Sequence, residues 1–137
     1  MKRLALLALL AGCAQMPSAT ALDQVQRMCA SGAAHAEVTL SGNVTRVLGT
    51  RMSAGGAHEG FVFSTASCSP YRRPCAAANL RVEDNVDLTG PVPLHAGETV
   101  TVRGQYECDD GVIHWTHRDP RGRHTGGFIE AHGVRYQ

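Results

Sequence analysis

The chain has 137 residues, with 13 Lys and Arg against 12 Asp and Glu, and a formal net charge of +1. This length suits one domain, and the near-neutral balance excludes a protein that is drawn to nucleic acid by its overall charge. Hydrophobic residues make up 43% of the sequence, which is enough for a globular core.

Residues 1–12 have the pattern of a secretory signal, a basic MKR start followed by an apolar run. The run is too short to cross a bilayer, which needs roughly 20 apolar residues. Its end, LAGC, resembles the lipobox of bacterial lipoproteins, which implies cleavage before Cys13 and lipidation of that cysteine. The alternative is an ordinary signal cut near Ala19-Thr20-Ala21. A lipidated Cys13 predicts a lipoprotein of the bacterial cell envelope that faces the periplasm, and Ala14 favours the outer membrane.

Four further cysteines predict disulfides, because an even number of cysteines in an oxidising compartment usually pairs. Three pairings are possible. Cys68 and Cys75 bracket a loop-like stretch that can close on itself, and Cys29 would then join Cys108. A zinc site is the rival interpretation, but the chain has no C-x-x-C pair to support it.

Residues 13–35 are predicted to form a tether and one short helix. Thr20 and Asp23 resemble a capping box, and Leu22, Val25 and Cys29 follow at helical spacing. Gly32 is a residue that can end the helix.

Residues 36–137 show β patterning, with five short strands. The strands are predicted around 38–45, 61–63, 80–82, 100–106 and 112–116, with a hairpin turn at Asp109-Asp110-Gly111. Gly42 is expected to mark a bulge or sharp bend. The pattern predicts an all-β fold, a small five-stranded OB-like barrel with a short N-terminal helix, although an SH3-like barrel or a small sandwich would look similar.

The densest chemistry lies in HWTHRDPRGRH, residues 114–124. Residues 111–137 carry four arginines against one Asp and one Glu, and guanidinium groups suit phosphate or carboxylate ligands. Trp115 can stack on a base or sugar. The predicted ligand-binding residues are the arginines and tryptophan of this stretch and two polar residues before the fourth strand: Arg118, Arg121, Arg123, Trp115, Asn85 and Asp87.

A metal site is a second interpretation of the same stretch. His117, Asp119 and His124 offer imidazole and carboxylate ligands for a divalent metal such as zinc, manganese or magnesium. If the fifth strand runs through His117, then His114 and His117 point to opposite faces and cannot share an ion. The metal would therefore be held by His117, Asp119 and His124.

Catalysis and plain packing are the remaining interpretations. His114, His117 and His124 are candidates for a single general base, but no nucleophile accompanies them. In the packing interpretation Trp115 is a core residue, Asp119 pairs with an arginine, and the tail 127–136 docks back as strands.

The C-terminal signature also carries a family resemblance. GVIHWTH, Asp119-Pro120, GRH and the final Tyr136-Gln137, together with the Asn85–Leu88 segment, resemble an uncharacterised bacterial family, the domain of unknown function 3465. The resemblance implies no activity. Two features depart from the family pattern: Asp84 stands where that pattern has a histidine, and the stretch between Cys68 and Cys75 is an insertion.

These observations predict an envelope lipoprotein that is attached to the membrane through its lipid and binds a small anionic or sugar- or phosphate-containing ligand. Nucleic acid, lipopolysaccharide and peptidoglycan fragments are the ligands considered. The alternatives are a metal-dependent phosphodiesterase or nuclease that uses the C-terminal His and Asp cluster, and a structural envelope adaptor.

Overall fold

A computed structural model describes residues 20–69 and 72–137. The predicted signal, the lipidation site at Cys13 and most of the tether lie outside these residues. No helix in the described part is long and apolar enough to cross a membrane.

Two helices and seven strands make up the described fold. In chain order they are α1 (Ala21–Ala30), β1 (His35–Ser53), β2 (Gly56–Ser69), β3 (Arg72–Asn85), α2 (Val86–Thr89), β4 (Thr99–Glu107), β5 (Val112–His114), β6 (Phe128–Ala131) and β7 (Val134–Tyr136).

Helix α1 begins with the predicted capping box. Thr20 accepts a hydrogen bond from the Asp23 backbone N–H, and the Asp23 carboxylate accepts one from the Thr20 backbone N–H. Leu22 and Val25 are buried in the core. The Ser67 hydroxyl donates to the buried Asp23 carboxylate over 2.8 Å, which attaches the start of α1 to β2.

Five strands pair in a ring, in the order β1-β2-β3-β5-β4 and back to β1. The first part of β1, His35–Asn43, pairs with β4, and the part from Asn43 onward pairs with β2. Strands β3 and β5 are parallel, and every other pair is antiparallel. The five-strand ring confirms the predicted all-β, OB-like fold.

The core fills the inside of this ring, as alternating strand patterns require. Along β1, Ala36, Val38 and Leu40 are buried while the residues between them are exposed. The largest side chains that are fully enclosed with them are Phe61, Phe63, Leu22, Ile113 and Ile129.

Two predictions about the strands need correction. Strand β5 ends at His114, two residues earlier than predicted, because the backbone turns at Trp115. The register irregularities of β1 lie between Val44 and Arg46 and between Val47 and Gly49, not at Gly42. Gly42 instead permits close approach, since a Cβ there would collide with the backbone of Ser64.

The tail adds β6 and β7, which extend the sheet beyond the five-strand ring. Strand β6 pairs with β4, and β7 pairs with β6 through a tight turn at His132-Gly133. The tail therefore docks as strands, as the packing interpretation expected.

One predicted disulfide is present. Cys29 at the end of α1 is bonded to Cys108, which directly follows β4, across a sequence separation of 79 residues. The side chains of Cys68 and Cys75 lie outside the described part, so that second pairing stays a prediction.

We expect the double change Cys29→Ser with Cys108→Ser to lower the free energy of unfolding by about 2–5 kcal/mol, because the bond restricts a long loop in the unfolded chain. Urea denaturation of the oxidised proteins measures the difference. Adding a reductant to the double variant then tests the second pair: a further loss indicates a Cys68–Cys75 bond. An unchanged midpoint in the double variant would contradict a stabilising role for Cys29–Cys108.

Candidate functional site

The backbone reverses direction at Trp115, directly after β5. Trp115 has a φ of 58°, in the left-handed region that side-chain-bearing residues seldom adopt. The residue is 41% exposed, so the expectation of a core tryptophan is wrong. Such a conformation costs about 1–3 kcal/mol and persists only where the surrounding contacts hold it.

Two histidine rings pack on this tryptophan. The Trp115 ring centroid lies 4.4 Å from that of His124 and 5.9 Å from that of His117. The two imidazoles meet edge to face, with centroids 5.0 Å apart. We call Trp115, His117 and His124 the aromatic cluster.

A close backbone approach holds the segment after β5 against the sheet. The Gly127 N–H donates to the His117 carbonyl over 2.8 Å. A Cβ on Gly127 would collide with the backbone carbonyls of Trp115 and Arg103. Glycine is therefore required where the chain returns from the 118–126 loop into β6.

The loop itself is organised by Asp119. Its carboxylate accepts the backbone N–H groups of Arg121 over 2.9 Å and His124 over 2.6 Å, and Gly122 closes the turn with a φ of 64°. Desolvation alone would raise the pKa of Asp119, but the amide donors of His124, Arg121 and Arg123 outweigh it and lower the pKa below its usual range. Asp119 therefore binds backbone amides and not an arginine side chain.

Both histidines of the cluster have one ring nitrogen committed to a carbonyl. His117 Nδ1 lies 2.7 Å from the Arg118 carbonyl, and His124 Nδ1 lies 2.8 Å from the Thr125 carbonyl. Because a carbonyl oxygen only accepts, Nδ1 carries the hydrogen in each case, and the neutral ring has its lone pair at Nε2.

Two adjoining cavities open on either side of the aromatic cluster. One, of about 450 Å³, has a lining rich in carboxylates, and we call it the acidic cavity. The other, of about 540 Å³, is lined by two arginines, and we call it the basic cavity. Gly55, Asn85, Trp115 and His117 line both, so together they form one cleft.

The acidic cavity is lined by side chains from the ends of several strands. Besides the shared residues, its lining comprises His58, Glu83, Glu107, Asp109, Asp110 and His114. His114 and His117 both line this cavity, so the expectation that they face opposite sides is wrong. That expectation required β5 to continue through His117, and the turn at Trp115 removes this condition.

The basic cavity is formed largely by the loop after β5. Besides the shared residues, its lining comprises Leu88, Asp119, Pro120, Arg121, Arg123 and His124. Neither Arg121 nor Arg123 makes an ion pair with any described residue. Both guanidinium groups are exposed and available for an anionic ligand.

Asn85 and Asp87, predicted to bind ligand, hold the β1–β2 turn against the end of β3. The Asn85 amide donates to the Gly55 carbonyl over 3.2 Å, and the Asp87 carboxylate accepts the Ala57 N–H over 2.9 Å. Gly56, with a φ of 110°, lies so close to Asp87 that a Cβ would collide with the carboxylate. Asn85 still lines the cleft, whereas Asp87 lines neither cavity.

A fully buried carboxylate lies beneath the cleft. Asp84 accepts the Thr116 hydroxyl over 2.6 Å and the Thr89 hydroxyl over 2.5 Å. Burial raises the pKa of Asp84, although these two hydrogen bonds and the nearby His117 oppose the shift. Asp84 thus joins the end of β3, the end of α2 and the segment after β5.

The structure gathers most of the predicted residues in one place. Asn85, Trp115, Arg121 and Arg123 line the cleft with the three candidate histidines, whereas Arg118 lines neither cavity and contributes its carbonyl to His117. The prediction omitted the carboxylates Glu107, Asp109 and Asp110. The sequence predicted Asp109-Asp110-Gly111 only as a turn. These aspartates could not be assigned to the site because only the ring of strands brings them beside the β1–β2 turn.

The side-chain geometry of the described residues does not support the metal interpretation. Residues 20–69 and 72–137 contain no group of three or more His, Cys, Asp or Glu side chains arranged to hold a metal ion. His117, Asp119 and His124 are close together, but His124 Nε2 is 4.0 Å from the Asp119 carboxylate, whose oxygens accept backbone amides.

The fold and the cleft define a small all-β, OB-like protein with a ring of five strands and a two-part surface cleft. The chain belongs to the family described as "Protein of unknown function (DUF3465)", whose sequence profile matches residues 7–137. No curated protein matches the chain. Solved structures with similarity include a small single-stranded DNA-binding protein from Streptomyces coelicolor, 22% identical, with a TM-score of 0.39 over 52% of this chain and 74% of that one.

We expect Asp119→Asn to destabilise the protein at neutral pH, because it removes the charge that the loop amides stabilise. A lowered carboxyl pKa contributes stability above the unfolded-state value, about 3.9, and this contribution is lost as the pH falls through the folded-state pKa. Urea denaturation between pH 7 and pH 2.5 should therefore show the two proteins converging at acid pH. A constant difference across this range would contradict the role of the charge.

We expect Asp84→Ala to lower the free energy of unfolding by about 1–3 kcal/mol, because it leaves the buried Thr116 hydroxyl without its acceptor. The same change should shift the emission maximum of Trp115, the only tryptophan, since Thr116 positions the adjoining turn. Asp84→Asn, which keeps one acceptor oxygen, should show a smaller effect in both measurements. An unchanged emission maximum in Asp84→Ala would contradict the positioning role.

Proposed function

We propose that this protein is a ligand-binding module that takes a small anionic, sugar- or phosphate-containing molecule in the cleft around Trp115. The observation that carries the proposal is the exposed Trp115 ring, held in left-handed backbone between two cavities. An exposed, fixed aromatic face is a common platform for a sugar ring or a base.

The charge of the basic cavity supports an anionic ligand. Arg121 and Arg123 lie on the rim without an ion-pair partner among the described residues, and the neighbouring Asp119 carboxylate is bound to backbone amides. A guanidinium binds phosphate or carboxylate through two parallel N–H groups. Both side chains can therefore bind an anion without first breaking an internal ion pair.

The position of the cleft within the fold is a second support. In OB-fold proteins the surface of strands 2 and 3, with the loops between strands 1 and 2 and between strands 4 and 5, commonly binds oligonucleotides and oligosaccharides. Here Gly55 lies in the β1–β2 turn, and Asp109 and Asp110 lie in the β4–β5 turn. This support is an analogy at the level of fold.

We further propose that the module works in the bacterial envelope as a lipoprotein. The support is the LAGC sequence at residues 10–13, with its signal-like start. On that basis lipopolysaccharide and peptidoglycan fragments are the ligands that the cleft would meet. No observation on the described residues favours the metal-dependent phosphodiesterase or the structural adaptor.

We expect a peptidoglycan disaccharide-peptide or a lipopolysaccharide core oligosaccharide to change the fluorescence of Trp115. Isothermal titration of Trp115→Ala should then show a loss of about 1–3 kcal/mol, the usual contribution of ring stacking, which is roughly a 5- to 150-fold rise in Kd. Arg121→Gln should also weaken binding, and the weakening should depend on salt.

Arg46→Gln is the matched control, since Arg46 is exposed and lines neither cavity. It removes the same charge as Arg121→Gln and should leave the Kd unchanged. If neither saccharide binds, or if both arginine variants weaken binding equally, the proposed site is wrong.

A further inference from the structure

We infer that the ligand carries charges of both signs: an anionic group bound by Arg121 and Arg123, and an amine cation bound in the acidic cavity. The inference rests on the proposed function and names the chemical class of the ligand, an amino sugar or amino-acid-bearing saccharide with a phosphate or carboxylate. It also disfavours a nucleic-acid strand.

Opposite charges line the two cavities. Arg121 and Arg123 line only the basic cavity. Within the described residues the acidic cavity is lined by four carboxylates and by no lysine or arginine: Glu83, Glu107, Asp109 and Asp110.

Three of these carboxylates make no ion pair with any described residue. Glu83 is neutralised by Arg51 and Arg81, which pair with its two oxygens. Glu107 accepts only a neutral amide, from Gln105, and Asp110 accepts the Val112 N–H.

Asp109 is exposed and makes no hydrogen bond or ion pair with any other described residue. A cationic donor that enters this cavity would therefore find acceptors without a competing internal cation.

The two sets of charges lie on adjoining cavities. Trp115, His117, Asn85 and Gly55 line both cavities, so the two meet at these residues and a ligand that extends over Trp115 can contact both. Trp115 lies on the shared border with its ring exposed, where it can pack against the apolar face of a sugar. The cleft thus offers, in order, anion-binding arginines, an aromatic face and amine-binding carboxylates.

This arrangement of charges disfavours a nucleic-acid strand as the ligand. A nucleic-acid strand carries a phosphate at every nucleotide, so a strand that spans the cleft would place phosphates beside Asp109 and Asp110. Like charges in a cleft repel and suppress such partners. A molecule with opposite charges at its two ends meets no such penalty.

The test compares glucosamine 6-phosphate, which carries a free amine cation, with N-acetylglucosamine 6-phosphate, in which a neutral acetamide replaces that cation; glucose 6-phosphate, with a hydroxyl at this position, controls for the bulk of the acetyl group. Titration of Trp115 fluorescence should show the amine form binding at least about tenfold more tightly, a factor that corresponds to about 1.4 kcal/mol. An oligothymidine should bind more weakly than any of these sugar phosphates. Asp109→Asn should reduce the preference for the amine form and strengthen oligothymidine binding.

Glu37→Gln is the control for net charge, because Glu37 is exposed on β1 and lines neither cavity. It should leave the preference unchanged. Equal binding of glucosamine 6-phosphate and either of the other sugar phosphates, or tighter binding of oligothymidine, overturns this inference while the proposed binding site stands. Binding of none of these probes overturns the two-charge inference and counts against the proposed function as well.

Discussion

The buried carboxylate of Asp84 is the interaction on which the cleft depends. It accepts hydroxyl hydrogen bonds from Thr89 and Thr116, and so joins α2 and the segment after β5 to the end of β3. Thr116 is fully buried, which sets the direction of its neighbours. With Thr116 anchored inward, the turn presents Trp115 outward and places His117 against the cleft wall.

Close approaches of the backbone also hold the segment after β5, together with the hydrogen bonds to Asp84. Gly127 and Gly104 lack the side chains that would collide with the chain between His114 and Thr116. The left-handed conformation of Trp115 is unfavourable by itself, and it persists because the neighbouring contacts determine it. Packing therefore fixes the turn at Trp115, and this turn exposes the aromatic ring.

Much of the fold could be predicted because it is local. The capping box at Thr20 and Asp23, the alternation of Val38 and Leu40, and the turn at Asp109-Asp110-Gly111 are each visible within a few residues. The end of β5 could not be predicted from neighbouring residues. A β-like run from Val112 to Thr116 gives no sign that Trp115 adopts a positive φ, since packing against Gly127 and Asp84 imposes it.

The sequence predicted which residues form much of the site better than it predicted what each of them does. A dense group of histidine, tryptophan and arginine marked the correct region. However, the Asp119 carboxylate accepts hydrogen bonds from loop amides, and the Asp87 carboxylate accepts one from the backbone beside the β1–β2 turn. The acidic half of the cleft was missed because its members come from distant parts of the chain. Only the pairing of β3 with β5 and of β5 with β4 brings Glu83 and Asp109 to one cavity.

The most direct test of a single cleft around Trp115 is a two-dimensional NMR titration of the backbone amides with glucosamine 6-phosphate. We expect the largest chemical-shift changes at Gly55, Asn85, Trp115 and Arg121, which surround the cleft on both sides. Changes centred instead on the β6–β7 turn at His132, outside the cleft, would contradict this expectation.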